Sequence, residues 1–150
     1  MTTKGVLAID IGGTKIALAA IDLAGHWLAQ TKFVIAGLDG GAIVTQLLAV
    51  SQQLVSQAQL TVTGIGVSTI GVVDGEHLKL VPTIKGWDHV NLKAALQRQF
   101  TQIPVWIEND VKAATYAEVL NGALKGTTAG LYLNLGTGIA TGLSLGDRVI

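Results

Sequence analysis

No cysteine occurs in the 150-residue sequence, which excludes a disulfide framework and any cysteine-ligated metal site within these residues. The formal net charge is zero, so no excess of positive charge favours binding to nucleic acid or to an anionic membrane surface. No uncharged apolar run approaches the roughly 20 residues that span a bilayer, and no signal peptide follows the N-terminal Met-Thr-Thr-Lys. We therefore expect a cytoplasmic protein.

Charged residues are also scarce, at 13% of the chain against about 25% in typical soluble domains. This shortage indicates that part of the surface is normally covered, although an alanine-rich interior would have the same effect on composition. The length is that of one domain and is sufficient for a hydrophobic core.

The stretch Leu7–Lys15 joins an apolar run to an acid, two glycines, a hydroxyl and a lysine. Residues 6–11 predict a buried strand, and the apolar residues 16–21 predict a second strand paired with it as a hairpin. Gly12 and Gly13 allow the backbone to turn tightly and its N–H groups to approach an anion. Because Gly-Gly is also an ordinary hairpin turn, a phosphate-binding turn and a plain turn are both open here.

The residues beside these glycines suit a polyphosphate. Thr14 adds a hydrogen-bond donor and Lys15 adds a positive charge, while Asp10 offers an oxygen ligand to a Mg²⁺ ion that keeps most of its waters. The spacing fits neither the dinucleotide-binding fingerprint nor the Walker loop.

A second copy of the pattern favours the phosphate interpretation. Residues 131–138 place Asn134 opposite Asp10 and Gly136 opposite Gly12, both at an offset of 124 residues. Repetition of this kind predicts two similar halves, each opening with a strand, a glycine turn and a strand. The two turns could then hold a phosphate chain from both sides.

Between the two copies, residues 26–35 predict a third strand, and apolar residues at helical spacing predict a helix over 42–59. The run 62–67 predicts a strand parallel to the first. Asp74-Gly75 predicts a hairpin turn. Asn91 is the expected N-cap of a short helix, and residues 104–107 predict another strand.

Two further positions have both a structural and a functional interpretation. Gly71 either lines a ligand cleft or simply ends a strand. Trp87 is expected to be a packing anchor rather than a platform for a sugar.

Glu108-Asn109-Asp110 lies where a strand ends and a helix begins, with Asn121-Gly122 closing that helix. Asn and Asp are favoured at helix N-termini, so helix capping alone would explain them. The functional alternative is that Asn109 and Asp110 face a ligand cleft at the strand end, with Asp110 accepting the proton of an attacking alcohol.

Three motifs together resemble the ROK family of sugar kinases, within the actin, hexokinase and Hsp70-like ATPase superfamily. They are Asp10-Ile-Gly-Gly-Thr-Lys15, Glu108-Asn-Asp-Val-Lys-Ala-Ala-Thr-Tyr-Ala-Glu118 and Leu135-Gly-Thr-Gly-Ile-Ala-Thr-Gly142. The resemblance implies an α/β, ribonuclease H-like (actin-like ATPase) domain whose mixed five-stranded sheet has flanking helices. It assigns residues 1–122 to the N-terminal domain and 123–150 to a linker and the first hairpin of a C-terminal domain.

The resemblance also implies an enzyme that uses MgATP to phosphorylate a hydroxyl of a hexose or N-acetylhexosamine. In that scheme Asp10 holds Mg²⁺ through water, and Asp110 is the catalytic base. The remaining roles follow residue by residue. The ATP phosphates would contact Gly12, Gly13, Thr14, Lys15, Gly136, Thr137 and Gly138, and the sugar would contact Asn109, Asp110, Gly71 and Thr83.

The family further implies a homodimer with sugar and nucleotide as its small-molecule partners. Its zinc motif, its adenine-binding loops and further sugar-binding residues would lie beyond Ile150, so we expect no turnover from residues 1–150 alone. Two features differ from the family pattern. Lys112 stands where the family usually has a small or amide residue, and residues 139–142 contain fewer glycines than the family usually has after its second phosphate turn.

Two alternatives to the kinase remain. The first is a sugar-responsive transcription regulator of the same family, against which the early start of the first strand argues. The second is a catalytically degenerate sugar-binding or assembly module, which Lys112 and the altered second turn would favour.

Overall fold

A computed structural model describes residues 2–75, 77–135 and 139–150. The strands, in chain order, are β1 (Thr3–Ile11), β2 (Lys15–Asp22), β3 (Trp27–Val34), β4 (Leu60–Thr69), β5 (Val72–Asp74), β6 (His77–Lys79), β7 (Val105–Asn109), β8 (Ala129–Leu135), β9 (Ile139–Leu145) and β10 (Arg148–Val149). The helices are α1 (Gly40–Gln57), α2 (Leu92–Gln99) and α3 (Asp110–Asn121), with a short 3₁₀ helix at Trp87–His89.

The largest sheet has five strands in the order β3-β2-β1-β4-β7. The first three strands form an antiparallel meander, whereas β4 runs parallel to β1 after the α1 crossover. The mixed five-stranded sheet with flanking helices predicted from the sequence is therefore confirmed. The central position of β1 places the end of this strand, at Asp10 and Ile11, between two hydrogen-bonded neighbours.

The core lies between this sheet and α1. Alternate residues of β1 and β2 point to one face, and Leu7, Ile11 and Ile16 are fully buried there. Ile43 and Leu47 of α1 are equally buried, as the helical spacing predicted. The N-terminus of α1 is capped by Asp39, whose Oδ1 accepts a hydrogen bond of 2.9 Å from the Ala42 N–H.

The second helix is joined to the first by a side chain. The Gln99 amide of α2 donates to the Leu48 carbonyl oxygen of α1 at 2.9 Å. Asn91 caps α2, because its Oδ1 accepts from the Ala94 N–H at 2.9 Å, as the sequence predicted. Trp87 is fully buried within the same core, which confirms it as a packing anchor and removes it from any sugar-binding surface.

The β5–β6 hairpin confirms the predicted turn at Asp74-Gly75. Gly75 has a φ of 61°, a left-handed conformation that glycine adopts at no steric cost.

The chain divides into two compact units, Met1–Ile107 and Glu108–Ile150. The division expected from the family resemblance, after residue 122, stays a prediction. In the second unit, β8, β9 and β10 form an antiparallel sheet in the order β10-β9-β8, which matches the order β3-β2-β1 of the first unit. The two strands of the predicted repeat are thus present, while the turn residues Gly136, Thr137 and Gly138 lie outside the described residues.

Helix α3 packs on one face of this smaller sheet. Gly142 of β9 lies so close to α3 that a Cβ atom placed on it would be 2.9 Å from the Thr115 Cβ atom. Glycine at 142 is therefore required by helix–sheet packing. Across the described ranges, no helix has both the length and the apolar character needed to cross a lipid bilayer.

Candidate functional site

The turn between β1 and β2 is fixed by backbone hydrogen bonds on both sides. The Gly12 N–H donates to the Lys15 carbonyl oxygen at 3.0 Å, closing the hairpin. The Thr14 carbonyl oxygen accepts from the Ile35 N–H at 3.0 Å, which ties the turn to the chain that follows β3. Within the described ranges, the N–H groups of Gly13 and Thr14 are left without a hydrogen-bond acceptor. Two adjacent donors of this kind suit an anion.

Gly13 is a glycine that the fold does not require. It is exposed, and it is absent from the positions with a left-handed φ. A Cβ atom built on it would lie 3.6 Å from Thr83 Oγ1 and 3.7 Å from Ile70 Cδ1, which are ordinary van der Waals distances. An alanine would therefore fit in this fold. A residue without a side chain leaves room for a ligand to approach the backbone closely, so the predicted phosphate contact at Gly13 stays a prediction.

Asp10 lies at the end of β1, opposite Ser68 on the parallel neighbour β4. The Ser68 hydroxyl donates a hydrogen bond to Asp10 Oδ1. Asp10 is exposed and Ser68 is half-buried, so the hydroxyl can orient a carboxylate that still faces solvent. Ser68 was not among the residues predicted from sequence, because it lies 58 positions from Asp10 in the chain.

Two residues predicted to contact the sugar, Gly71 and Thr83, also belong to the first unit. Thr83 is exposed, and its hydroxyl lies close to Gly13, so the structure brings a predicted sugar-binding residue to the predicted phosphate turn. Gly71 has a φ of 89°, and a Cβ atom there would lie 2.5 Å from the Lys79 carbonyl oxygen. The local backbone thus explains Gly71 without a ligand, and its sugar contact stays a prediction.

Asn109 and Asp110 lie at the start of α3 in the second unit. Asn109 is the N-cap, since its Oδ1 accepts from the N–H groups of Val111 at 3.0 Å and Lys112 at 3.2 Å. Asp110 Oδ1 accepts from the Val111 N–H at 2.9 Å and from the Asn109 amide at 3.0 Å. The capping interpretation is confirmed for Asn109. The same contacts fix the orientation of the Asp110 carboxylate, which the catalytic interpretation also needs.

Within each unit, the structure brings some of the predicted residues together. In the first unit, Asp10 lies at the end of β1, and Gly13 in the turn that follows lies close to Thr83. In the second unit, Asn109 and Asp110 lie side by side at the start of α3. Lys15 is exposed at the start of β2. The second turn, Gly136 to Gly138, lies outside the described residues, so its part in phosphate binding stays a prediction.

A Mg²⁺ ion at Asp10 would have few ligands from the protein. In the described part of the chain, no three His, Cys, Asp or Glu side chains are grouped to hold a metal ion. Magnesium in nucleotide sites needs less than this, because it commonly keeps several waters and uses one or two carboxylates plus the phosphates. The exposed Asp10 carboxylate, which accepts a hydrogen bond from Ser68, fits that donor set.

Comparison with known proteins identifies the family and the fold of the chain. A family model described as "ROK family" matches residues 6–150. The ROK hexokinase from Thermus thermophilus has a TM-score of 0.80 and 32% identity, covering 97% of this chain and 48% of that one. A ROK family glucokinase from Streptomyces griseus, solved in complex with glucose and AMPPNP, has a TM-score of 0.78 and 31% identity, covering 97% and 46%. The predicted actin-like ATPase fold is therefore confirmed.

Repressors are also among the similar proteins. The xylose repressor from Bacillus subtilis is 28% identical over 93 residues, covering 62% of this chain and 24% of the repressor. The chain spans about half the length of the curated relatives that it matches over nearly its whole length.

Proposed function

The chain belongs to the ROK family, and on that premise we propose that it supplies the phosphate-binding, magnesium-binding and sugar-binding residues of an ATP-dependent sugar kinase. The acceptor is a hydroxyl group of a hexose or N-acetylhexosamine. The proposal concerns the whole protein, because the chain corresponds to about half of its curated relatives.

The observation that carries the proposal is the environment of Gly13. Nothing in the fold requires glycine there, yet the position is exposed, follows Asp10 by three residues and lies close to the Thr83 hydroxyl. The N–H groups of Gly13 and Thr14 would donate to the terminal phosphate oxygens, with Lys15 adding positive charge. Because the Gly12 N–H is already bonded to the Lys15 carbonyl oxygen, Gly12 would act by permitting close approach.

Asp10 would hold Mg²⁺ through water, in the orientation that Ser68 sets. When bound, the ion would offset the negative charge that develops on the transferring phosphate. The protein would contribute the position of the carboxylate, since the hydrogen bond from Ser68 restricts its rotation.

Asn109 and Asp110 would bind the sugar, with Asp110 as the general base. Its Oδ1 already accepts two hydrogen bonds, so we assign proton acceptance to Oδ2. The sugar hydroxyl would transfer its proton to that oxygen as its own oxygen bonds to the γ-phosphorus, and the bond from phosphorus to ADP would break. The neighbouring Asn109 side chain is held by the helix N-terminus and would orient a sugar hydroxyl.

The experiment is an ADP-release assay on the whole protein with glucose, N-acetylmannosamine, N-acetylglucosamine and fructose. We expect sugar-dependent ADP release with at least one of them. Absence of release with every sugar, in a protein that calorimetry shows to bind both sugar and AMPPNP, would contradict kinase activity. The same assay on residues 1–150 tests our expectation that this part alone does not turn over.

A sugar-responsive regulator is the second candidate, which the similarity to the xylose repressor favours. A regulator needs sugar binding but no phosphoryl transfer. Sugar binding without ADP release, together with unchanged sugar affinity in the Asp10→Asn variant, would support it. A kinase instead loses ADP release in that variant, because the ion at the phosphates is lost.

A further inference from the structure

Leu80 follows the β5–β6 hairpin and has a backbone conformation that leucine disfavours. Its φ is 57°, in the left-handed region, where the Cβ atom of a bulky L residue strains the backbone. Its side chain is 79% exposed, so packing within the fold does not offset that strain. An apolar residue therefore occupies a position where the fold gains little from it.

Two glutamines in the described part of the chain also have a left-handed φ, 49° at Gln59 and 64° at Gln102. Both are exposed residues of turns, where water solvates their amide groups. Leu80 differs from them because its exposure also leaves apolar surface in contact with water. Strained residues of this kind cluster at ligand-binding sites.

The neighbours of Leu80 in the first unit are two residues that the sequence predicts to contact a sugar. A Cβ atom placed on Gly71 would lie 3.5 Å from the Leu80 carbonyl oxygen. Thr83 follows three positions later, and its Oγ1 lies 3.6 Å from the Cβ position at Gly13. Three residues span at most about 11 Å, so Leu80 is near enough to line a site in which Thr83 contacts a sugar.

The backbone is held on both sides of Leu80. Before it, the Lys79 ammonium group donates to Asp74 Oδ2 across the β5–β6 hairpin. After it, the Ile84 N–H donates to the Val81 carbonyl oxygen at 3.3 Å. These contacts hold the segment that carries the exposed leucine, as a side chain that selects a ligand requires.

An exposed apolar side chain at a sugar site suits an apolar part of the sugar. Of the two acceptor classes in the proposed function, an N-acetylhexosamine carries the methyl group of its acetamido substituent, and the parent hexose has a hydroxyl group instead. Contact between this methyl group and a leucine would remove apolar surface of both from water. One such group in an apolar contact changes selectivity by about 10-fold or more.

We propose that Leu80 is a specificity-determining residue of the acceptor site, whose side chain contacts the acetamido methyl group of an N-acetylhexosamine. This assignment rests on the proposed function and narrows its substrate class. The side chain is the part that matters, because glycine would adopt the same backbone conformation without strain. The contact with the sugar would offset the strain that the fold leaves uncompensated.

Calorimetric titration of the whole protein with two matched pairs of sugars tests the proposal. The pairs are N-acetylglucosamine with glucose and N-acetylmannosamine with mannose, and we expect one N-acetyl sugar to bind more tightly than its parent. Leu80→Gly and Leu80→Asn suit a left-handed φ, and they should reduce this preference about 10-fold with the affinity for the parent hexose unchanged. Leu80→Met keeps an apolar side chain and should retain the preference.

Gln102→Gly is the matched control, because it relieves the same backbone strain in the turn between α2 and β7. It should keep the wild-type preference. In urea unfolding, Leu80→Gly and Gln102→Gly should both be at least as stable as the wild type. A loss of stability confined to Leu80→Gly would show that the leucine side chain supports the fold, and would contradict a role in selectivity.

An unchanged preference in both Leu80→Gly and Leu80→Asn would overturn the role of Leu80. A wild-type protein that prefers the parent hexoses, or that binds none of the four sugars, would overturn it as well. ADP release with the same sugars tests the proposed function separately. Release that is equally selective in Leu80→Gly would contradict this inference alone, whereas a changed binding preference without release would contradict kinase activity alone.

Discussion

The Ser68 hydroxyl donates a hydrogen bond to Asp10 Oδ1, joining two parallel strands at the point where both approach their carboxyl ends. Ser68 is half-buried and the carboxylate is exposed, so the serine provides a fixed point for a charged group that faces solvent. This relationship gives Ser68 a positioning role in the proposed magnesium site.

Removal of this hydroxyl should weaken binding of the magnesium nucleotide. In Ser68→Ala we expect the KM for MgATP to rise roughly 10-fold, as is typical when a metal-binding carboxylate loses its supporting hydrogen bond. The KM for sugar should be unchanged, and Ser68→Thr should restore the wild-type value. Steady-state kinetics of the whole protein measure all three.

Thr61→Val is the control for Ser68→Ala. Thr61 is also on β4, and its hydroxyl donates to Thr2 Oγ1 at 2.9 Å, away from the site. An equal rise in the KM for MgATP in the Thr61 variant would show that any lost hydroxyl on β4 has this effect, and would remove the positioning role.

Substitution of Gly13 by alanine should lower the affinity for nucleotide without lowering the free energy of unfolding. Because a Cβ atom fits at Gly13, we expect Gly13→Ala to leave the free energy of unfolding unchanged or to raise it by about 0.4–1 kcal/mol. The affinity for AMPPNP should nevertheless fall, since the methyl group would occupy the space of the phosphate. Urea unfolding and calorimetric titration measure the two quantities.

Gly66→Ala is the matched control for Gly13→Ala. Gly66 lies on β4, it is exposed, and a Cβ atom there would have no neighbour within 4 Å. It should resemble Gly13→Ala in stability and keep the wild-type nucleotide affinity. Unchanged affinity in Gly13→Ala would mean that its turn is a plain hairpin turn.

The two residues at the start of α3 should respond differently to substitution. Asp110→Asn keeps an oxygen that can accept from the Val111 N–H, so stability should change by no more than the roughly 0.3–1 kcal/mol of a charge at a helix N-terminus. The loss of the base should lower kcat by about 100-fold or more while sugar binding persists.

Asn109→Ala should instead lower the free energy of unfolding by about 0.5–2 kcal/mol, because the N-cap is lost. Asn109→Ser keeps a good capping residue and should restore stability. Comparison of kcat with urea unfolding for the three variants checks this division. If Asp110→Asn lost stability in proportion to activity, the residue would be only part of the helix start.

The turn between β2 and β3 should contribute an acid-sensitive stabilisation. The His26 backbone N–H, which donates to Asp22 Oδ1 at 2.8 Å, and the His26 ring at 2.9 Å from Oδ2 lower the pKa of Asp22 from its ordinary 3.8. A lowered pKa stabilises the fold above pH 3.8, and this contribution is lost as the pH falls through the lowered value.

The difference in unfolding free energy between the wild type and Asp22→Asn should therefore be constant near neutral pH and decline in acid. Urea unfolding at a series of pH values measures it, and NMR titration reports the pKa of Asp22 directly. In His26→Gln the backbone donor remains, so the pKa of Asp22 should return only part of the way towards 3.8. A midpoint at or above 3.8 in the wild type would contradict the prediction.

Local features of this protein were available from the sequence because they depend on near neighbours. Helical spacing predicted α1. Asn91 and Asn109 indicated where helices begin, because an N-cap side chain bonds to backbone N–H groups two or three positions away. The repeat of the first motif predicted β8 and β9 and related β8 to β1. The mixed sheet and the phosphate-turn candidate followed from these patterns and from the resemblance they supported.

The tertiary structure decided which distant residues meet. Ser68 lies in an apolar stretch with no signal of its own, and only the parallel pairing of β4 with β1 brings it to Asp10. The space for a side chain at Gly13 depends on Thr83 and Ile70, which arrive from remote parts of the chain. The alternation of side chains along a strand likewise defines two faces of a sheet. Only the packing of the fold decides which of these faces a helix covers. For that reason the sequence could locate the leucines of β8, whereas the fold alone revealed that they are exposed.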